Sequence, residues 1–400
     1  MTVSLLSFGC RLNAYESAAM RAAAEAAGDG DGKMVIVNTC AVTLEAERQA
    51  RQAIRRTVRE RPGAHIIVTG CAAAIDPARW ASLPGVTRVL DNREKLAPAS
   101  WGGAVPTAVD FGDRARAFVP VQQGCDHRCT FCIIPFGRGP SVSRPAASII
   151  AEVRALAARG LREVVLTGVD LTAYGADVTG GPGLGGLARR LLEAVPELPR
   201  LRLSSLDPAE IDPDLWRLIG EEERLMPHLH LSLQSGNDMI LKRMKRRHSR
   251  AGATAAISRA RRLRPGIAIG ADLIAGFPTE TEAQFRDTLA LVEETGMPFL
   301  HVFPFSARPG TPAARMPATP WALRRERAAR LRAAGMINAG GYFSSLVGSI
   351  VSVLVEGDGL GRTEQYVKAM IAAWPAPPVG AILRARVDGS GQAGVRATAL

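Results

Sequence analysis

The chain alternates short apolar runs with longer stretches of helical period, and its first hundred residues repeat one theme three times. Residues 2–7 lead into Phe8-Gly9-Cys10, 33–37 into Asn38-Thr39-Cys40, and 65–68 into Thr69-Gly70-Cys71. Each run is rich in Val, Ile or Leu, as a buried strand is, whereas 13–27, 43–60 and 75–83 carry helical periodicity. This alternation predicts βαβ units and a parallel sheet. All three cysteines then fall just past the carboxyl ends of strands, where open α/β sheets gather their ligands.

Residues 98–112 are rich in Pro, Gly and Ala and read as a linker. A second α/β series follows, with strands predicted over 117–121, 163–166, 200–203, 228–233, 267–274 and 298–303 and helical stretches between most of them. Six such repeats predict a partly open (β/α)6 barrel whose working loops lie at the carboxyl ends of its strands. A basic helix over 322–332 precedes a tail, from residue 348, of three short strands over 350–355, 364–371 and 381–387: a small all-β module.

Four hundred residues, 47% hydrophobic and 22% charged, suit a globular chain of two or three domains. The formal charge of +12 is compatible with a nucleic-acid partner. Its cations are five Lys against forty-five Arg, a bias that reflects composition as well as function, so charge alone singles out no partner. The opening MTVSLLSFGCRLN lacks the basic n-region of a secretory signal, and no run of about 18 apolar residues predicts a membrane span. The expectation is a cytoplasmic chain with no membrane association. Six cysteines are too few for a disulfide scaffold, which directs attention to metals or redox chemistry.

Cys125, Cys129 and Cys132 form a C-x3-C-x2-C run directly after the first strand of the second series. One loop of that length can wrap a cubane. A 4Fe-4S cluster ordinarily takes four thiolates, so three leave one iron open to a substrate. The alternative is a zinc loop, but zinc sites close with four ligands and His127 has no second ligand pair nearby in sequence. Cys10, Cys40 and Cys71 taken singly could each be a small buried hydrophobe. Taken together they form a second three-thiol set, and the six cysteines divide three and three.

With Phe131 beside the last thiol, the 125–132 loop resembles that of radical S-adenosylmethionine (SAM) enzymes. Gly9-Cys10 with Asn13 and Glu16-Ser17, Asn38-Thr39-Cys40, Thr69-Gly70-Cys71, the stretch Cys132-Ile133-Ile134-Pro135 to Arg138-Gly139, and Ser143-Arg144-Pro145 resemble the methylthiotransferase family within that class. Gly361-Arg362-Thr363-Glu364-Gln365-Tyr366 is similar to its RNA-binding TRAM module, here abbreviated, and Phe136-Gly137 stands where the family commonly has Tyr-Ala. The resemblance implies an amino-terminal methylthiotransferase domain (1–108) with an auxiliary 4Fe-4S cluster on Cys10, Cys40 and Cys71. It further implies a radical-SAM barrel (109–345) with its own cluster on Cys125, Cys129 and Cys132, and a TRAM-like module (346–400). Both trios would be catalytic and would face one cavity, one SAM molecule methylating sulfur at the auxiliary cluster and another supplying a 5′-deoxyadenosyl radical.

His228-Leu229-His230-Leu231-Ser232-Leu233-Gln234-Ser235-Gly236 and His301-Val302-Phe303-Pro304-Phe305-Ser306 resemble the branch that methylthiolates position 2 of N6-threonylcarbamoyladenosine at tRNA position 37. Implied partners are tRNA, an electron donor of the flavodoxin or ferredoxin type, and a sulfur source. Alternatives are a ribosomal-protein substrate, or a non-catalytic RNA-binding iron-sulfur protein. Position and resemblance together nominate Phe131, Thr167, Gly168, Ser204, Gln234 and Asp272 as SAM contacts, against a reading as ordinary turn and capping residues. His228 and His230 share a strand face and are either a metal pair or satisfied barrel histidines. The basic run 242–248 and Arg324, Arg325, Arg327, Arg330 and Arg332 are either phosphate grips or solvated helix faces.

Overall fold

The computed structural model describes residues 3–27, 33–102, 114–372 and 375–400. Strands β1 (Ser4–Ser7), β2 (Met34–Thr39), β3 (His65–Gly70) and β4 (Val86–Val89) form one parallel sheet in that order. Ser7 pairs with Asn38 and Asn38 with Thr69, so three strands end at one edge. Val35, Val37, Ile66 and Val68 are buried there against Ala50, Ile54 and Trp80. Two differences from the sequence expectation stand out. β4 carries exposed Thr87 and Arg88 at the sheet edge, and the helix expected over 75–83 is two short ones, Cys71–Ile75 and Pro77–Ala81, broken where Asp76 caps the second.

The second series supplies β5 (Arg116–Pro120), then the two-residue pair β6 (Gln122–Gln123) and β7 (Val142–Ser143), and β8 (Glu163–Thr167), β9 (Arg200–Leu203), β10 (His228–Gln234), β11 (Ala268–Ala275) and β12 (Phe299–Pro304). β5-β8-β9 and β10-β11-β12 are parallel sheets, joined along a seam by bridges Leu201 to Leu225 and Leu206 to Leu231. Among the described residues β5 and β12 do not pair, so the six-stranded barrel is open between them. One face of each strand packs outward on helices: Val119, Leu166, Leu203, Leu231 and Leu273 share a core with Val153, Leu187 and Ile257. Strand alternation turns Phe118, Thr167, Arg202, His230 and Asp272 inward.

The tail forms a closed barrel of β13 (Ile350–Gly357), β14 (Leu360–Thr363), β15 (Lys368–Ala372), β17 (Gly394–Ala399) and β16 (Ile382–Gly391). The single strand expected over 364–371 is corrected: the chain reverses between β14 and β15 at Tyr366, whose φ is +71°. The module seats on the interior arginines of β9. Arg200 donates to the Ser352 carbonyl (2.7 Å), and Arg202 to those of Thr363 and Glu364 (both 2.9 Å).

A candidate site with two facing cysteine trios

Cys10 is the N-cap of the helix Arg11–Ala26, and Cys71 opens the helix Cys71–Ile75. A helix N-terminus favours negative charge, thiolate included. Gly9 has φ +104°, and a Cβ there would lie 2.7 Å from Cys40 Cβ and 2.8 Å from its Sγ. Only glycine lets the first loop approach the second thiol so closely. Asn13 donates to the carbonyls of Phe8 (2.6 Å) and Thr39 (3.0 Å), tying the first loop to the second. Thr39 Oγ1 donates to the Thr69 carbonyl (2.6 Å) and accepts from Ala73 N–H (3.1 Å), tying the second to the third.

The second trio sits on a loop whose ends are clasped by β6 and β7. Cys125 N–H donates to the Gly139 carbonyl (3.1 Å), and Thr130 Oγ1 to the Arg243 carbonyl (2.8 Å). Arg246 lies 3.6 Å from Cys129 Sγ, held by Asp207 (2.9 Å) and the Ser232 carbonyl (2.8 Å). Beside Cys125, the Asp170 carboxylate lies 3.6 Å from the thiol and 2.8 Å from His127 Nε2.

The helix Ile134–Arg138 carries the loop to the first trio. A Cβ on Gly137 would fall 2.9 Å from the Cys71 carbonyl oxygen, so this residue too must be small. Arg138 Nε donates to Cys71 Sγ at 3.1 Å, and Nη2 to Asn13 Oδ1 at 2.9 Å. The helix is five residues, about 7.5 Å long, and Cys71 lies near enough to Cys132 to oppose its thiolate. Beneath them Arg138 binds Glu16 through Nη1 (2.8 Å) and Nη2 (3.0 Å), and Lys95 binds it at 2.6 Å; Glu16 and Lys95 side chains are fully buried. Burial opposes the Glu16 carboxylate, but Lys95 and Arg138 outweigh it and hold the group at about 2.

Among the cofactor-contact candidates, Thr167 is buried and its carbonyl accepts from Val121. Gln122 organises the loop that follows it: Oε1 accepts from Val169 (3.0 Å) and Asp170 (2.9 Å), while Nε2 reaches Gly124 and Ser141 (both 2.8 Å). Gly168 packs on Gln122, and Ser204 Oγ is buried without a hydrogen-bond partner. Gln234 ends β10 at φ +68°, and Phe131 packs with Met244, Phe277 and Phe305. Asp272 is engaged by His230 (3.0 Å) and His301 (3.2 Å) on one oxygen and by Ser205 (3.3 Å) on the other. His228 instead packs on Phe299 and Tyr366.

The basic runs resolve into structural roles at several positions. Arg246 binds Asp207 from a largely buried position, Arg247 binds the same carboxylate while remaining exposed, and buried Arg327 pairs with Glu280 at 2.9 Å. Sequence reasoning missed Arg138, Lys95, Gln122 and Asp170 as site residues; Arg138 and Glu16 stood within quoted motifs but had no role, because their contact spans 122 positions.

Three unbridged thiols on each side fit an iron-sulfur cluster: burial pushes Cys40 and Cys125 up to about 12 and Cys132 up to about 11, so thiolates there need a cation. The partnerless Ser204 hydroxyl fits a polar ligand at the strand ends.

An open six-stranded barrel with such a loop after its first strand defines a radical SAM protein, and the Radical SAM superfamily matches residues 119–292. Residues 2–90 match Uncharacterized protein family UPF0004. The radical SAM methyltransferase TsrM of Kitasatospora setae shares the fold at TM-score 0.53, with 15% identity over 74% of this chain and 68% of that one. The threonylcarbamoyladenosine tRNA methylthiotransferase MtaB of Rickettsia prowazekii is 45% identical over 96% of this chain and 94% of its own length. A tRNA-2-methylthio-N(6)-dimethylallyladenosine synthase of Novosphingobium aromaticivorans is 39% identical over 89% and 86%. The chain therefore belongs to the methylthiotransferase family of radical SAM enzymes.

Proposed function

We propose that this chain methylthiolates C2 of N6-threonylcarbamoyladenosine in tRNA, with Cys125, Cys129 and Cys132 holding the radical-SAM cluster and Cys10, Cys40 and Cys71 the auxiliary one. The observation that carries the reading is Arg138, which leaves the radical loop to donate to Cys71 Sγ and so supports both trios serving one cavity. When bound, the two 4Fe-4S clusters and SAM supply the radical that activates the carbon and the sulfur that replaces its hydrogen. The protein's part is positional. Gln122 fixes the loop Gly168–Asp170 at the barrel mouth, Ser204 offers a hydroxyl, and Asn13 and Thr39 hold the three amino-terminal loops in register.

The reading divides the chain into a methylthiotransferase domain (1–108), a barrel (109–345) and a TRAM-like module (346–400). Its closed tail barrel presents Lys368, Arg384, Arg386 and Arg396 outward, a surface suited to tRNA phosphates. No helix among the described residues is long and apolar enough to cross a membrane, and a tRNA substrate supports a cytoplasmic location. A low-potential donor of the flavodoxin or ferredoxin type and a sulfur source complete the reaction.

The test is mass spectrometry of digested tRNA and of ribosomal proteins from a deletion strain. Loss of 2-methylthio-N6-threonylcarbamoyladenosine, restored by the wild-type gene and not by Cys125→Ala, is expected. Loss of a methylthio group from the dimethylallyl nucleoside or from a ribosomal protein instead would reverse the substrate assignment.

A further inference from the structure

Threonylcarbamoyl and dimethylallyl groups differ chiefly in charge: the first ends in a carboxylate, the second is a hydrocarbon. Given the substrate read above, some cation in the cavity must tell them apart. The interior of the barrel carries several cations along β5, β9, β10 and β12. Arg116, Arg200 and Arg202 face Glu163, which engages all three. Asp272 is likewise engaged by His230 and His301.

Arg11 is left over. It follows Cys10 directly, and its guanidinium lies 5.9 Å from the rings of both Phe118 on β5 and Tyr366 in the tail. No hydrogen bond or ion pair occupies it among the described residues, although its neighbours Arg116, Arg202 and Arg362 also crowd the Tyr366 ring. On β12 His301 is 60% exposed, with Nδ1 held by Asp272 and its ring tilted against that of His230, centroids 4.5 Å apart. The His228 ring lies between them, 5.2 Å from the Tyr366 ring that Arg11 approaches and 6.4 Å from the His230 ring that His301 packs on, and both groups help to push this buried histidine below its ordinary value.

We propose that Arg11 and His301 form the seat for the carboxylate of the substrate's N6 substituent at the barrel's open edge. A guanidinium grips a carboxylate through two parallel N–H donors, and Asp272 fixes the His301 ring. Because Arg11 adjoins Cys10, the grip that selects the substituent also places the adenine beside the amino-terminal trio. A dimethylallyl group would leave the guanidinium desolvated without a partner, which is a stronger source of discrimination than shape alone.

The experiment measures binding of anticodon stem-loop RNAs to the cluster-loaded protein under anaerobic conditions. The RNAs carry N6-threonylcarbamoyladenosine, its carboxamide analogue, or plain adenosine. Wild type is expected to prefer the carboxylate over the carboxamide by about tenfold or more. Arg11→Gln should bring those two to near parity while leaving plain-adenosine RNA unchanged, and His301→Phe should narrow the same gap if Arg11→Gln proves unstable. Equal binding of carboxylate and carboxamide by wild type overturns the proposal. So does equal weakening of every RNA by Arg11→Gln, which would assign the guanidinium to a backbone phosphate. Wild-type activity on dimethylallyl RNA alone is a separate result, refuting the substrate assignment itself.

Discussion

Arg138→Met removes the link between the two trios and leaves two groups exposed to the consequences. Glu16, fully buried, loses both Arg138 hydrogen bonds and keeps Lys95 as its remaining ion-pair partner, and Cys71 loses its donor. Removing one member of a buried ionic network costs about 3–5 kcal/mol. The carboxyl shows the scale of the whole network: a fall from 4.5 to about 2 corresponds to about 3 kcal/mol, shared between Lys95 and Arg138. That would be a large share of a typical domain's 5–15 kcal/mol or so. Hydrogen-exchange mass spectrometry of the anaerobic protein should therefore show protection across 11–26 and 94–101 reduced by about a hundredfold, since each 1.4 kcal/mol or so is tenfold. Glu16→Gln in the same chain should recover part of it, because the buried charge is gone; coupling of about 0.5–3 kcal/mol is expected between contacting residues. Strictly additive losses, or a change in protection below about tenfold, would refute the network.

Because the Glu16 carboxyl is depressed, its contribution is complete above 4.5 and lost as pH falls toward about 2; acid unfolding of the amino-terminal sheet should move to higher pH in Lys95→Met, and an unmoved midpoint would contradict this. Gly9→Ala places a Cβ against Cys40 and should lower iron bound at the amino-terminal trio, measured by iron assay with Cys125, Cys129 and Cys132 all replaced by Ala, while leaving iron unchanged when Cys10, Cys40 and Cys71 are replaced instead. Gln122→Ala removes the acceptor for Val169 and Asp170 and should raise the KM for SAM cleavage by about thirtyfold, two hydrogen bonds at about 1 kcal/mol each; an unchanged KM would place the loop under other control.

The barrel's strands were legible because each combines a β-branched or Leu-rich face with turn residues after it. β9, Arg200–Leu203, reads RLRL: all four residues are buried, the leucines in the outer core and the arginines on Glu163. β4 and β17 escaped: VTRV is half exposed at an edge, and GVRATA offers only Val395 and two alanines to a core. The reversal at Tyr366 was hidden because a positive φ on a tyrosine is set by its surroundings, here a ring of arginines. At the site, cysteine spacing is local and readable. The Glu16–Lys95–Arg138 network and the unengaged Arg11 depend on residues far apart in sequence, and no periodicity brings them together.

On the proposed function, two separate cysteine trios each carry a cluster and serve one cavity in different roles. Iron and acid-labile sulfide, measured alongside SAM cleavage in anaerobically reconstituted protein, test it directly. Two cubanes per chain are expected in wild type and one in either triple-alanine variant. Cleavage should survive loss of Cys10, Cys40 and Cys71 but not of Cys125, Cys129 and Cys132, and methylthiolation should need both. A wild-type chain holding a single cubane, or cleavage lost equally from both variants, would contradict the account.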